Sequence, residues 1–422
     1  MAPPHDIVIT GVGAVCPIGI GKQAVWEALV QRRSGVQPLY LFNGADLPAP
    51  FGGVVAGFEP LRFIRPRKNL KVMSRDIQLA FAAAELACDD AQTRQKPIDP
   101  DRLGIVFGAD MIACELAELV AAFRSCMAGG RFDFGRWGET AMNEVCPLWL
   151  LKYLPNMPAC HIGMSQDARG PSNSLTMGEV SGLSALAEGI RVIERGHADA
   201  MIVGGSGSRL HAGAFIRGLN YELSRRSDDP AAASRPFDAT RDGMVNGEGA
   251  AAFLIESRRH AEGRGAKILA RVLGCAEAFE PNRNGTPRKG SGIRNAIARA
   301  LRDARLKPRE IGHVNAHGQS TRLDDEIEAQ AIRETLGDVP VTAPKSFFGN
   351  LGAGTGAVEM VGSLLAIERG LIPTTLNYHT PDPKCPVSVV NSSGSPLGRP
   401  TALVLNHTPF GHAIAVVLGG AD

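Results

Sequence analysis

The chain has 422 residues, 44% hydrophobic and 21% charged, with a formal net charge of +2. That length suits a large or duplicated α/β domain, and the near-neutral charge excludes a general attraction to nucleic acid or to an anionic membrane surface. No run reaches the roughly 18 apolar residues of a membrane span, and the eight cysteines (Cys16, Cys88, Cys114, Cys126, Cys146, Cys160, Cys275 and Cys385) form no CxxC pair that would suggest zinc.

Those cysteines read as free thiols in a reducing compartment, and the opening MAPPHDIVITGVG has neither the basic nor the apolar region of a signal peptide, so a cytoplasmic protein is expected. Asp6–Val15 reads as a buried strand ending in glycine turns, and Gly19–Gly35 as a helix and loop. A dinucleotide reading of Gly11-Val12-Gly13 lacks the third glycine and the downstream acid. Arg62–Arg75 packs six basic residues (Arg62, Arg65, Arg67, Lys68, Lys71 and Arg75) into fourteen, and leads into an apolar helix over Asp76–Ala87. Such a run is either a solvated face or a docking patch for an acidic partner.

Leu103–Ala109 is a strand, followed by Asp110-Met111-Ile112-Ala113-Cys114. Residues 115–145 lack regular periodicity and are expected to form loops at an interface. Ser165–Leu186 runs from a polar turn through Gly170-Pro171-Ser172 into a small-residue helix, with Leu183, Leu186 and Ile190 at helical spacing. Ala200–Ser206 is a strand into a turn. Arg235–Gly249, RPFDATRDGMVNGEG, is turn-rich, with alternating charges able to pair, and precedes the strand Ala250–Ile255. Residues 256–270 connect to a second half with the strand Ile268–Leu273, an amphipathic helix over Ser291–Ala304 carrying Ile293, Ile297 and Leu301, and the strand Ile311–Ala316. The alternation by itself gives an α/β class and no residue-level repeat.

Several of these stretches resemble the β-ketoacyl-[acyl-carrier-protein] synthases (ketosynthase II type) of the thiolase superfamily. Arg235–Gly249 matches RPFD-x-x-RDG-x-V-x-GEG at nearly every fixed position, and Pro155-Asn156-Met157 matches the PNM before the nucleophile elbow. Asn315-Ala316-His317-Gly318-Gln319-Ser320-Thr321, with Asp325 and Glu328, is similar to N-A-H-G-T-S-T followed by N-D-x-x-E. Lys345-Ser346-Phe347-Phe348-Gly349-Asn350-Leu351 and Gly356-Ala357-Val358-Glu359 resemble K-S-x-x-G-H-L…G-A-x-E. The resemblance covers Ile9 to Leu418. It implies a thiolase-like fold of two similar halves, 1–255 and 256–422, in a five-layer α-β-α-β-α arrangement.

In register with Gly170-Pro171-Ser172 and Ser181-Gly182, the nucleophile position falls on Glu179 where the family has Cys. A thiolate at a helix N-terminus can carry an acyl chain as a thioester, whereas a carboxylate would give an anhydride that water destroys. The resemblance puts His317 at the first catalytic His, Lys345 at the family's Lys, and Asn350 at the second His, where an amide can donate a hydrogen bond but cannot carry a proton. It makes Thr321 and Gln319 substrate-binding positions, Gln319 replacing the family's Thr, and matches Phe410 to a gating Phe beside the nucleophile. There Pro409 replaces a Gly, His412 a later Gly and Ile414 an Asn, and proline stiffens a loop that swings through glycine freedom. Arg65, Arg67, Lys68 and Lys71 would dock the acidic carrier protein, and Asp110-Met111 in place of a glycine turn would narrow the acyl tunnel at the partner subunit.

The first expectation is therefore a chain-length-factor-like subunit of fatty-acid or polyketide biosynthesis that pairs with a Cys-bearing synthase; members of that group usually carry Gln at this position. The second is altered chemistry such as malonyl decarboxylation, with a protonated Glu179 imitating a neutral donor beside His317. Burial would raise the carboxyl pKa and the helix N-terminus would lower it. The third, an active homodimeric synthase, needs another nucleophile, and Cys160 lies ahead of the elbow. No cofactor of its own is expected, the 4′-phosphopantetheine arriving on the acyl carrier protein. A homodimer or heterodimer is expected, with no nucleic-acid partner.

Overall fold

The computed structural model describes residues 6–39, 50–211, 213, 215, 222–281 and 288–421, so the first five residues of the opening stretch lie outside it. Its frame is a twelve-stranded mixed sheet. The strands are β1 (Ile7–Cys16), β2 (Gly19–Ile20), β3 (Leu103–Ala109), β4 (Ser172–Leu175), β5 (Ala200–Ser208), β6 (Glu248–Ser257), β7 (Ala270–Phe279), β8 (His313–Asn315), β9 (Pro340–Thr342), β10 (Ser388–Val389), β11 (Thr401–His407) and β12 (His412–Gly419). In space the first half runs β1-β6-β5-β3-β4 and the second β7-β12-β11-β8-β9-β10. In each half the first two pairings are antiparallel and those that follow are parallel. In each, the first strand in sequence lies beside the last. The duplication absent at the residue level is thus present in the topology. Within the sheet the halves pair where Ile7–Ile9 of β1 meets Ala270–Val272 of β7.

Five helices complete the layers: α1 (Arg75–Asp90), α2 (Ser181–Glu194), α3 (Ser291–Ala304), α4 (Arg322–Leu336) and α5 (Thr355–Arg369). α1 packs on β1 and β6, outside the first half, while α3 packs on β7 and β12, outside the second, with α4 beside it. α2 and α5 lie between the halves and touch strands and each other. Their sequences follow from that place. α5 is buried at every position from Thr355 to Ala366, as a helix walled in on all sides must be. α3 buries only Gly292, Ile293, Ala296, Ile297, Ala300 and Leu301, one face. The two central helices cross closely: a Cβ on Gly182 would lie 2.9 Å from the Ala353 carbonyl oxygen, and one on Gly356 2.7 Å from Leu183 Cγ.

The expected thiolase-like architecture is observed, with local corrections. A short parallel strand, β4, intervenes between Gly170-Pro171 and α2, because Ser172–Leu175 hydrogen-bonds along Ile105–Gly108. Residues 115–145 are not loops: Leu116–Ser125 is a helix, followed by a hairpin of Met127–Ala128 with Arg131–Phe132. Its apolar side chains do recur at helical spacing, but Leu116, Val120 and Phe123 face outward, and inward-facing Ala122 is the buried one. Among the described residues no helix is long and apolar enough to cross a membrane.

Candidate functional site

β4 ends at Leu175, and the chain turns through Gly178, whose φ of +66° favours glycine, into the tight turn Gly178–Val180 and then α2. The Ser181 hydroxyl fixes this turn, accepting from Met177 N at 2.8 Å and donating to Gly178 O at 2.7 Å. Glu179 is thereby held at the N-terminal end of α2, 3% exposed. Its Oε1 accepts from Arg209 Nη2 at 2.7 Å and from Asn350 Nδ2 at 3.4 Å. Arg209 directly follows β5, where Arg209 N donates to Gly247 O. The same Asn350 amide donates to Gln319 Oε1 at 2.9 Å, and its oxygen accepts from Gly352 N. Glu179, Asn350 and Gln319 are therefore one cluster, completed by Arg209.

Next to it lies a second network. Lys345 Nζ is 3.0 Å from His317 Nδ1 and 2.7 Å from Glu359 Oε1, and also donates to the His317 carbonyl oxygen. Asn406 Nδ2 holds the other Glu359 oxygen at 2.7 Å. The loop that carries His317 is cradled by carboxylates: Glu328 accepts from His317 N at 2.6 Å and Gly318 N at 2.7 Å, and Asp325 accepts from Ser320 N and Phe237 N. The paired acids of the N-D-x-x-E-like stretch thus satisfy backbone donors that would otherwise be buried unpaired. Arg241 of the RPFD stretch, 4% exposed, closes this loop from outside through Thr321 O, Arg322 O and Asp382.

The electrostatics separate the two networks. Burial opposes ionisation of Glu179, but the Arg209 guanidinium, the local backbone N–H and the Asn350 amide outweigh it and hold the carboxyl below its usual range. Glu179 is a carboxylate, not the neutral donor that burial alone would make. For His317, burial and then the Lys345 ammonium push the imidazole well below its ordinary pKa. With the Lys345 N–H directed at Nδ1, the ring proton resides on Nε2, which is buried and has no partner among the described residues. A neutral Nε2–H donor suits an oxyanion. Burial raises Glu359 to about 7 against the opposing pull of Lys345.

The remaining expected positions divide. Thr321 is buried at the start of α4, its hydroxyl 3.2 Å from Asp324 Oδ2. Phe410, expected beside the nucleophile position, is 71% exposed. The turn Thr408–Gly411, closed by Gly411 N to Thr408 O and containing Pro409, projects it outward. Arg65, Arg67, Lys68 and Lys71 are exposed on and before the turn Arg67–Val72. Arg62 and Arg75 leave the basic run, pairing with Glu59 and Glu248. Asp110 ties its carboxylate to Ala353 N at 2.9 Å, beneath the start of α5. Two residues escaped the sequence reading. Arg209 was signalled only by a charge closing the small-residue run Gly204–Ser208. His407, at the end of β11, is buried, and its ring lies 4.4 Å from that of His317. A cavity of about 660 Å³, lined by Asp76, Ser208, Leu210, Glu248, Met73 and Tyr153 among others, opens beside the strand end that carries Arg209.

Two family models match this chain: "Beta-ketoacyl synthase, N-terminal domain" over residues 5–261 and "Beta-ketoacyl synthase, C-terminal domain" over residues 269–379. The chain is 31% identical over 420 residues to a 3-oxoacyl-[acyl-carrier-protein] synthase 2 of Synechocystis sp., covering 97% of each. It is similar to a β-ketoacyl synthase from Burkholderia phymatum, with a TM-score of 0.88, 28% identity, and coverage of 99% of this chain and 100% of that one. The ishigamide ketosynthase/chain length factor superposes with a TM-score of 0.84 at 28% identity over 100% of both chains.

Proposed function

The chain belongs to the β-ketoacyl synthase family, and on that premise we propose that it is a chain-length-factor-like subunit of fatty-acid or polyketide synthesis that pairs with a Cys-bearing synthase. The observation that carries this reading is the buried Glu179–Arg209 ion pair at the position that the resemblance assigns to the nucleophile. A carboxylate committed to a guanidinium neither attacks a thioester nor donates a hydrogen bond as a neutral acid. Cys160 does not replace it: that thiol is exposed on the helix Met157–Ser165, with the Asn156 amide against its sulfur.

What remains fits a partner's work. The helix Leu116–Ser125, the hairpin that follows it and the turn Phe134–Arg136 expose Leu116, Val120, Phe123, Phe132 and Phe134. An apolar face of this kind suits a second ketosynthase subunit. The 660 Å³ cavity beside Arg209 would bound the growing chain, and Arg65, Arg67, Lys68 and Lys71 would steer an acidic carrier protein.

The intact His317–Lys345–Glu359 network favours a second reading, in which His317 Nε2–H holds the thioester oxygen while a malonyl group loses CO₂. One experiment separates the two. Malonyl-carrier protein is incubated with the purified chain, alone and with a Cys-bearing ketosynthase, and followed by intact mass. An unchanged carrier with the chain alone, and elongated product only from the pair, supports the subunit reading. Loss of a carboxyl group with the chain alone, abolished by His317→Ala, overturns it in favour of decarboxylation.

A further inference from the structure

At the opposite end of α2 from Glu179, about 20 Å away along fourteen residues, a groove of about 850 Å³ follows the seam where β1 and β7 part. Five arginines line it: Arg191 in the last turn of α2, Arg271 on β7, and Arg299, Arg302 and Arg305 at the end of α3. The last three are spaced three apart, so they stand along one side of the helix end, and all three are exposed.

The acids of the groove are already committed. Asp6 bridges Arg258 at 2.6 Å and Arg271 at 3.1 Å. Asp303 accepts from Cys275 N at 2.9 Å. Glu194 also has a partner. By contrast, Arg299 donates only to the Glu277 carbonyl oxygen, and the guanidinium groups of Arg302 and Arg305 make no hydrogen bond or ion pair among the described residues. Part of this charge faces the negative end of α3, which it stabilises. Arg191 is 3.6 Å from Glu188, so the groove presents the guanidinium groups of Arg302 and Arg305, which pair with no carboxylate among the described residues, beside Arg299, around a concave space whose volume falls in the range for small-molecule sites.

We propose that this seam groove is a binding site for a small molecule carrying two or more linked phosphates, held by Arg302 and Arg305 with Arg299 beside them. Guanidinium forks match phosphate oxygens in pairs, and linked phosphates offer several such edges within the span of two helical turns. The site is separate from the Glu179 cluster and does not depend on the role proposed for it.

The test is calorimetric titration of the full chain with inorganic tripolyphosphate and, separately, with ATP, both without magnesium. Saturable one-to-one binding is expected, weakened at least about tenfold in Arg302→Glu/Arg305→Glu. It should hold within about twofold in Arg33→Glu/Arg399→Glu, which changes net charge equally at exposed positions elsewhere. Equal affinity for both ligands assigns recognition to the phosphates alone, and tighter ATP binding extends it to the nucleoside. Absence of saturable binding up to millimolar ligand overturns the proposal, and so does equal weakening by the two charge-reversed variants. Unchanged melting temperatures establish that the variants are folded.

Discussion

At the scale of single residues, the site turns on a charge pair. Removing one member of a buried ion pair leaves the other unpaired in a poor solvent for charge, typically at a cost of about 3 kcal/mol or more. Arg209→Met is therefore expected to destabilise the fold by roughly 3 kcal/mol, and Arg209→Met/Glu179→Gln to recover much of the loss. Denaturant unfolding of the double-mutant cycle measures this; additive losses would mean that the pair is not coupled. A second prediction concerns chemistry. Glu179→Cys alone should leave condensation at background with a carrier-bound acyl chain. Asn350 cannot carry a proton, and Pro409 restrains the turn that bears Phe410. Efficient elongation by that single variant, read by product mass, would defeat the multi-site argument.

At the element scale, the motifs around Glu179 have structural work of their own. The RPFD stretch, Asp325 and Glu328 brace a loop: Asp238 accepts from Thr240, His379 and Thr380, and Arg241 reaches Asp382. These contacts are needed whether or not position 179 does chemistry. The central helices impose a similar demand. A methyl on Gly356 would meet Leu183 Cγ at 2.7 Å and Asn406 Oδ1 at 2.8 Å, and Asn406 also holds Glu359. Gly356→Ala should cost about 1–3 kcal/mol by overpacking, seen as a lower melting temperature. Gly263→Ala, also in a helix without a positive φ but facing open space, serves as the comparison without overpacking.

For the whole molecule, the buried acids set the response to pH. Asp76, Asp325 and Glu359 are each raised to about 7, chiefly by burial. A carboxyl with a raised folded pKa favours folding below its unfolded value and loses that contribution as pH climbs towards 7. Glu179, Asp238 and Glu256 are shifted the other way, their partners outweighing burial. Their contribution is present above the unfolded carboxyl range and is lost as pH falls through the lowered folded values. The two sets together place the maximum near the unfolded carboxyl range, at about pH 4–5, with stability falling from there towards pH 7. Thermal melts across pH 3–8 check this; a maximum above pH 7 would contradict the assignment.

The sequence by itself determined the family, the strand–helix alternation and the bounds of several elements, because these depend on local apolar period and on motifs whose spacing the backbone fixes. Leu103–Ala109 and Ser291–Ala304 are found at the bounds expected for them. It also put His317, Lys345 and Asn350 in the same set, through stretches that resemble one family. Only the tertiary structure decided that Glu179 is ionised. Arg209, thirty residues away and on another strand end, supplies the charge that burial alone would have denied. Only the fold turned Phe410 outward, drew Arg75 inward to Glu248 and set His407 against His317. Each depends on which side chain meets which across elements distant in sequence, and no local period encodes that.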